Sequence, residues 1–162
     1  MVNRKYIILS LALVIVLLLD QATKLSIASS YNLYESSAVI HGLFNITYIR
    51  NPGAAFGFLA GADPVFRSTF FIAVSVAAVV FIALVIRKVR QEETVAVLGL
   101  SLILGGALGN LIDRIRLGEV IDFLDVYVGS YHWPAFNMAD SAISIGAFLL
   151  ILEIIKKKSL FD

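Results

Sequence analysis

The sequence predicts a membrane α-helical protein: a four-span transmembrane helix bundle with a small extracytoplasmic β cradle and an interfacial loop. Three observations lead there. Of 162 residues, 59% are hydrophobic and only 15% charged, with a mean hydropathy of +0.89, well outside the usage of soluble domains. The apolar residues come in long blocks instead of alternating with polar ones, and each of four blocks reaches the about 20 residues that a bilayer crossing needs. Basic residues gather at the ends of these blocks in a pattern that gives every connection a side.

The spans run approximately from Tyr6 to Ala28, Phe66 to Ile86, Thr94 to Ile112 and Asn137 to Ile155. Arg4 and Lys5 precede the first, Arg87, Lys88 and Arg90 follow the second, and Lys156, Lys157 and Lys158 follow the fourth. Positive charge marks the cytoplasmic side, so both termini are expected in the cytoplasm, with residues 29–65 and 113–136 facing outward. The first block also has the basic start and small residues near Ala28 to Ser30 of a cleavable secretory signal. It is long, however, and Asp20, Gln21 and Lys24 interrupt it. Removing it would leave three spans and break the charge pattern, so an uncleaved helix is expected. The whole chain, 1–162, reads as one membrane-embedded domain without repeats or low-complexity segments. Cysteine is absent, which excludes disulfides, thiolate chemistry and Cys-based metal sites. The net charge of +1 says little compared with its distribution.

The outward connections differ from the spans. AVIHGLFNITYIR, residues 38–50, is rich in β-branched and aromatic residues that partly alternate, as strands do. Asn51, Pro52 and Gly53 then signal a turn. The small apolar run AAFGFLAG after them suits the membrane surface. In the second connection, Tyr131, His132, Trp133 and Pro134 suggest an interfacial flap, because Trp and Tyr favour the headgroup layer.

Helical spacing groups the polar residues of the spans. Asn137, Asp140, Ser141 and Ser144 stand at i, i+3, i+4 and i+7, one stripe expected to face the bundle. Asn110, Asp113 and Arg114 repeat i, i+3, i+4 in the third span, with Gly106 a turn earlier on the same side. Gly105 and Gly109 form a GxxxG pair that permits close helix approach. Asp20 and Lys24, at i and i+4, suit a local ion pair. Polar groups of three spans thus collect at their outward ends. Asp122 in EVIDFLDV and Asp140 in FNMADSAISIG fall at that same boundary. Ionisable groups there persist mainly for function or pairing, and two carboxylates held close cannot both stay ionised, which provides one acid and one base.

Structural readings stand beside these. Asp20 with Lys24 is as well explained by a helix-end ion pair as by chemistry, and Asp113 with Arg114 by a juxtamembrane pair. Arg116 and Asp125 read as solvated loop residues, and Ser141 and Ser144 as hydroxyls back-bonded to their own helix. Asp122 and Asp140 could likewise be an N-cap and a loop carboxylate, and spacing alone favours catalysis only modestly over that. His41 and His132 show no metal-ligand spacing.

Together, DQATK at 20–24, NPGAAFGFL at 51–59, GGALGNLIDR at 105–114, EVIDFLDV at 119–126 and PAFNMADSAISIG at 134–146 resemble the motif blocks of signal peptidase II, the bacterial lipoprotein signal peptidases. Order, spacing and span number agree over essentially the whole chain; Pro52 is a local variation. The resemblance implies an aspartic endopeptidase of the bacterial cytoplasmic (inner) membrane. It would remove the signal peptide of diacylglyceryl-modified prolipoproteins, cutting before the lipidated cysteine, with no cofactor, metal or nucleic acid. Membrane lipids are its other expected partners. By the same resemblance Asp122 and Asp140 are the catalytic dyad. Asp20, Lys24, Asn51, Gly53, Asn110, Asp113, Arg114 and Asn137 match its supporting or substrate-binding positions.

Other classes remain on the residues alone. Intramembrane carboxylates with Lys and Arg also mark ion pathways, so a small transporter or a non-enzymatic membrane scaffold is an alternative, as is metal-dependent proteolysis. Against a transporter, the polar groups gather at one face and the two halves show no repeat.

Overall fold

A computed structural model describes residues 3–53, 59 and 61–158, so the apolar run expected at the membrane surface lies almost wholly outside the described residues. In chain order the elements are α1 (Arg4–Ser30), β1 (Ser36–Ile40), β2 (Phe44–Asn51), α2 (Pro64–Lys88), α3 (Thr94–Leu117), β3 (Val120–Val128), β4 (Tyr131–His132) and α4 (Met138–Lys158). All four helices are long and apolar enough to cross a membrane.

The helix ends follow local chemistry. Asn3 caps α1 by accepting from the Lys5 amide at 3.0 Å, and Asp63 accepts from the amides of Val65 and Phe66, with Pro64 in the first helical position where no amide hydrogen is needed. Gly118 ends α3 at φ 74°, a left-handed conformation in which its amide reaches the Arg114 carbonyl. The chain is thereby turned straight into β3. Lys5 ties α1 to the end of α2: its ammonium donates to the carbonyls of Arg87 and Val89 at 3.0 and 2.8 Å.

Packing is inside out relative to a soluble bundle. Leu18, Phe81 and Ile154 are each 66% exposed, so the outer faces of α1, α2 and α4 offer hydrocarbon to lipid. The helix surrounded by the others is α3, where Val97 and Ser101 are fully buried. Glycines allow the approach. A Cβ built on Gly105 would press Val16 of α1 at 3.0 Å, and one on Gly146 of α4 would lie 2.5 Å from the Gly99 carbonyl. The GxxxG pair therefore serves contact within this bundle. Among the described residues, both α2 and α4 pack on α3, yet not on each other.

At one end of the bundle the strands form a single antiparallel sheet in the order β1-β2-β3-β4. The expected strands at 38–50 appear as β1 and β2, joined through Gly42 at φ 79°, whose amide donates to the Tyr127 hydroxyl at 3.0 Å. The second connection contributes the longest strand, β3, and the helix before it continues to Leu117. The irregular segment Trp133 to Phe136 is what remains of the expected flap. A bulge between Ile46 and Ile49 shifts the β2–β3 register by one residue. Pairing runs Ile46 with Leu124 before the bulge, and Ile49 with Asp122 and Asn51 with Val120 after it. Tyr48, Ile121 and Phe123 seal the sheet onto the bundle against Ile27, Tyr31 and Met138.

Candidate active site

Asp122 lies on β3 and Asp140 in the first turn of α4, and one residue holds both. Asn137, fully buried, donates its side-chain amide to Asp122 Oδ1 at 2.7 Å and its backbone amide to Asp140 Oδ2 at 3.2 Å. Its own Oδ1 accepts from the Asp140 amide at 2.9 Å, which makes Asn137 and Asp140 a reciprocal capping box on α4. The remaining carboxylate oxygens are also engaged. Asn51 donates to Asp122 Oδ2 at 3.0 Å and Asn110 to Asp140 Oδ1 at 2.8 Å. The β2 bulge explains the first bond, since it puts Asn51 rather than Arg50 on the face of the sheet that carries Asp122.

Both carboxylates open onto one cavity of about 450 Å³. Asn110 and Arg114 form its α3 wall and Phe71, Val74 and Ser75 its α2 wall, with Gly53 and the segment from Trp133 to Phe136 closing over it. Burial pushes the Asp122 carboxyl up to about 7, opposed by the Asn51 hydrogen bond, reinforced by the charge of Asp140, and opposed again by Asn137 and Lys24. Arg114 lies over the Phe71 ring, 5.9 Å from its centroid, and donates to the carbonyls of Asn110 and Gly53 at 3.3 and 3.5 Å. Such long bonds leave a guanidinium well placed to exchange them for a stronger acceptor.

Behind the cavity sits a buried ionic cluster. Lys24 Nζ is 3.0 Å from Asp20, 2.9 Å from Asp113 and 2.9 Å from Asn110 Oδ1. Asp20 also accepts from the Ala139 amide at the start of α4 at 3.0 Å, and Asp113 from the Ile121 amide at the start of β3 at 3.2 Å. One cation thus anchors the acids that fix the two elements carrying Asp122 and Asp140. Gln21 closes the cluster by donating to both acids. Among the described residues, no group of three or more His, Asp or Glu comes together to hold a metal ion.

A family model described as signal peptidase (SPase) II matches residues 12–156. The chain belongs to the signal peptidase II family. Curated relatives of the same kind are close in length as well as sequence. The lipoprotein signal peptidase of Syntrophus aciditrophicus is 59% identical over 89% of this chain and 89% of its own, and that of Geobacter metallireducens 54% identical over 93% and 92%. A bacterial membrane enzyme solved by the in meso method at 2.3 Å resolution superposes with a TM-score of 0.84 at 37% identity, covering 95% of this chain and 91% of that one. As in the expectation from sequence, this signal peptidase II family member is a multi-pass bacterial membrane protein.

Within that family frame, the residues singled out from sequence separate into two groups. Asn51, Gly53, Asn110, Arg114, Asp122 and Asp140 line the cavity, with Asn137 beneath them. Asp20, Lys24 and Asp113 form the cluster behind it. Several structural readings need correction. Asp113 and Arg114 do not pair: helical spacing turns Asp113 towards Lys24 and Arg114 into the cavity. Asp125 is no solvated loop residue; strand β3 buries it, with Asn45 and His132 each 2.8 Å away. The α4 stripe faces inward only in part. Ser141 donates to the Asn137 carbonyl, whereas Ser144 is exposed beside Asp140. Gln21 and Phe71 went unassigned from sequence; a Phe in an apolar span carries no signal, while Gln21 in DQATK did interrupt one.

Proposed function

We propose that this protein is an aspartic endopeptidase that removes signal peptides from prolipoproteins, with Asp122 and Asp140 as a water-activating dyad. The observation that carries the proposal is that two mostly buried carboxylates, on different elements, are held to one amide residue, Asn137, at the wall of one cavity. Family membership supports the substrate class, since the curated relatives are lipoprotein signal peptidases. One aspartate is ionised and takes a proton from a water bound between the two. The other, protonated, donates to the scissile carbonyl as the hydroxide adds to its carbon. Collapse of the tetrahedral intermediate breaks the C–N bond, and the proton held by the base passes to the leaving amine. A new carboxyl terminus is left on the signal peptide. Asn51 and Asn137 donate hydrogen bonds without adding charge, and Arg114 exchanges its long bonds for a substrate carbonyl.

The substrate is a precursor whose cysteine already carries diacylglycerol, cut just before that cysteine. An apolar cavity mouth at the end of the bundle suits acyl chains in the bilayer and a peptide bond beside the headgroups. Arg4, Lys5, Arg87, Lys88 and Arg90 lie at the opposite end of the helices from the cavity, which supports cytoplasmic termini and a dyad at the outer face of the inner membrane. Incubating the purified protein with a diacylglyceryl-modified precursor should yield a shortened, lipid-bearing product. Asp122→Asn and Asp140→Asn should each abolish cleavage in a folded protein; near-normal turnover in either sinks the dyad.

A further inference from the structure

The side-chain amide of Asn110 has a fixed orientation. Lys24 Nζ, which can only donate, sits 2.9 Å from one of its terminal atoms, and that atom must therefore be the oxygen. The NH₂ end is consequently turned to Asp140 Oδ1 at 2.8 Å. The other oxygen of Asp140 accepts from the backbone amide of Asn137 at the N-terminus of α4, where the helix dipole favours negative charge. Neither donor can turn away. Asp122 is held differently. Its donor on Asn137 is shared with the Ile121 carbonyl at 3.1 Å and Asn110 Oδ1 at 3.2 Å, and its other donor is the Asn51 side chain at the end of β2. The charged groups around the pair are Lys24 and Asp20 on α1, Asp113 and Arg114 on α3; the α2 residues lining the cavity are neutral. Two cations among four acids favour one retained proton on the pair.

We propose that Lys24 is a positioning residue of the dyad: acting through the Asn110 amide, it makes Asp140 the ionised, water-activating member and leaves the resting proton on Asp122. The inference rests on the dyad assignment above.

The test measures kcat and KM across pH for the full-length protein in detergent, with a diacylglyceryl-modified precursor peptide as substrate. Lys24→Met and Asn110→Leu should lower kcat about tenfold to a hundredfold, the range for one hydrogen bond to a charged group, with little change in KM. Both should move the acidic limb of the profile to higher pH; Asn110→Leu should leave the alkaline limb in place, whereas Lys24→Met, which also removes a charge that holds Asp122 down, should raise that limb too. Lys24→Arg, which still offers a donor to the Asn110 oxygen, should recover part of both effects. Asn51→Leu, which removes a donor from Asp122, should move the alkaline limb upward and leave the acidic one. Should Lys24→Met not fold, Asn110→Leu keeps the Lys24, Asp20 and Asp113 cluster and carries the same expectation. Movement of the alkaline limb in Asn110→Leu, or an unmoved acidic limb in a folded variant, overturns the proposal. Failure of the parent protein to cleave the peptide, or cleavage by Asp122→Asn, overturns the dyad itself; dead aspartate variants with unmoved limbs overturn the positioning role alone.

Discussion

Asn137 does three jobs with one side chain and one amide: it caps α4, holds Asp122 and holds Asp140. Asn137→Ala should therefore show more than the loss of about 1 kcal/mol expected for a helix cap. Chemical denaturation should report that loss, while turnover falls at least tenfold because Asp122 loses its side-chain donor and the first turn of α4, which carries Asp140, loses its cap. The Asp122 carboxyl gives a second expectation at this scale. An unfolded chain releases that proton near 3.8, whereas the folded protein keeps it until about 7. Across that window the unfolded state binds fewer protons, so this group's contribution to stability declines as pH rises. Activity that needs the protonated acid should likewise decline as pH rises through about 7, as a pH–rate profile would report for the pair.

Among the elements, the four spans were legible because about 20 apolar residues in a row leave few alternatives. Strand β3 was not. VIDFLDVYV reads as loop punctuated by acids unless its partners are known: Asp122 tolerates burial because Asn51 and Asn137 donate to it, and Asp125 because Asn45 and His132 each lie 2.8 Å away. The bulge between Ile46 and Ile49 leaves no mark in composition, yet without it Arg50 would lie on the face of Asp122. The aspartates, asparagines and Arg114 could be named from family motifs; the split between cavity and ionic cluster could not, because Lys24 makes its contacts with Asp113 and Asn110 across helices. Close helix approach was legible in its glycines. A side chain at Gly106 would collide with the Ala139 backbone at the start of α4, so Gly106→Ala should destabilise by about 1–3 kcal/mol. Thermal unfolding in detergent measures it, and because Ala139 adjoins Asp140, turnover should fall as well.

For the whole molecule, orientation is the property that decides which substrates reach the site. The chain contains no cysteine, so single cysteines can be introduced without background. Ser130→Cys, in the exposed turn between β3 and β4, should react with a membrane-impermeant maleimide on intact spheroplasts. Gln91→Cys, between α2 and α3, should react only after the membrane is opened. The reverse pattern would place the dyad on the cytoplasmic side. Finally, among the described residues α2 and α4 each pack on α3 and not on each other, and residues of both line the cavity. A precursor already anchored in the bilayer reaches such a cavity by lateral diffusion, searching a surface instead of a volume. Confinement of enzyme and precursor to one thin sheet then acts as a local concentration, and a soluble peptide bearing the same cleavage sequence forfeits it.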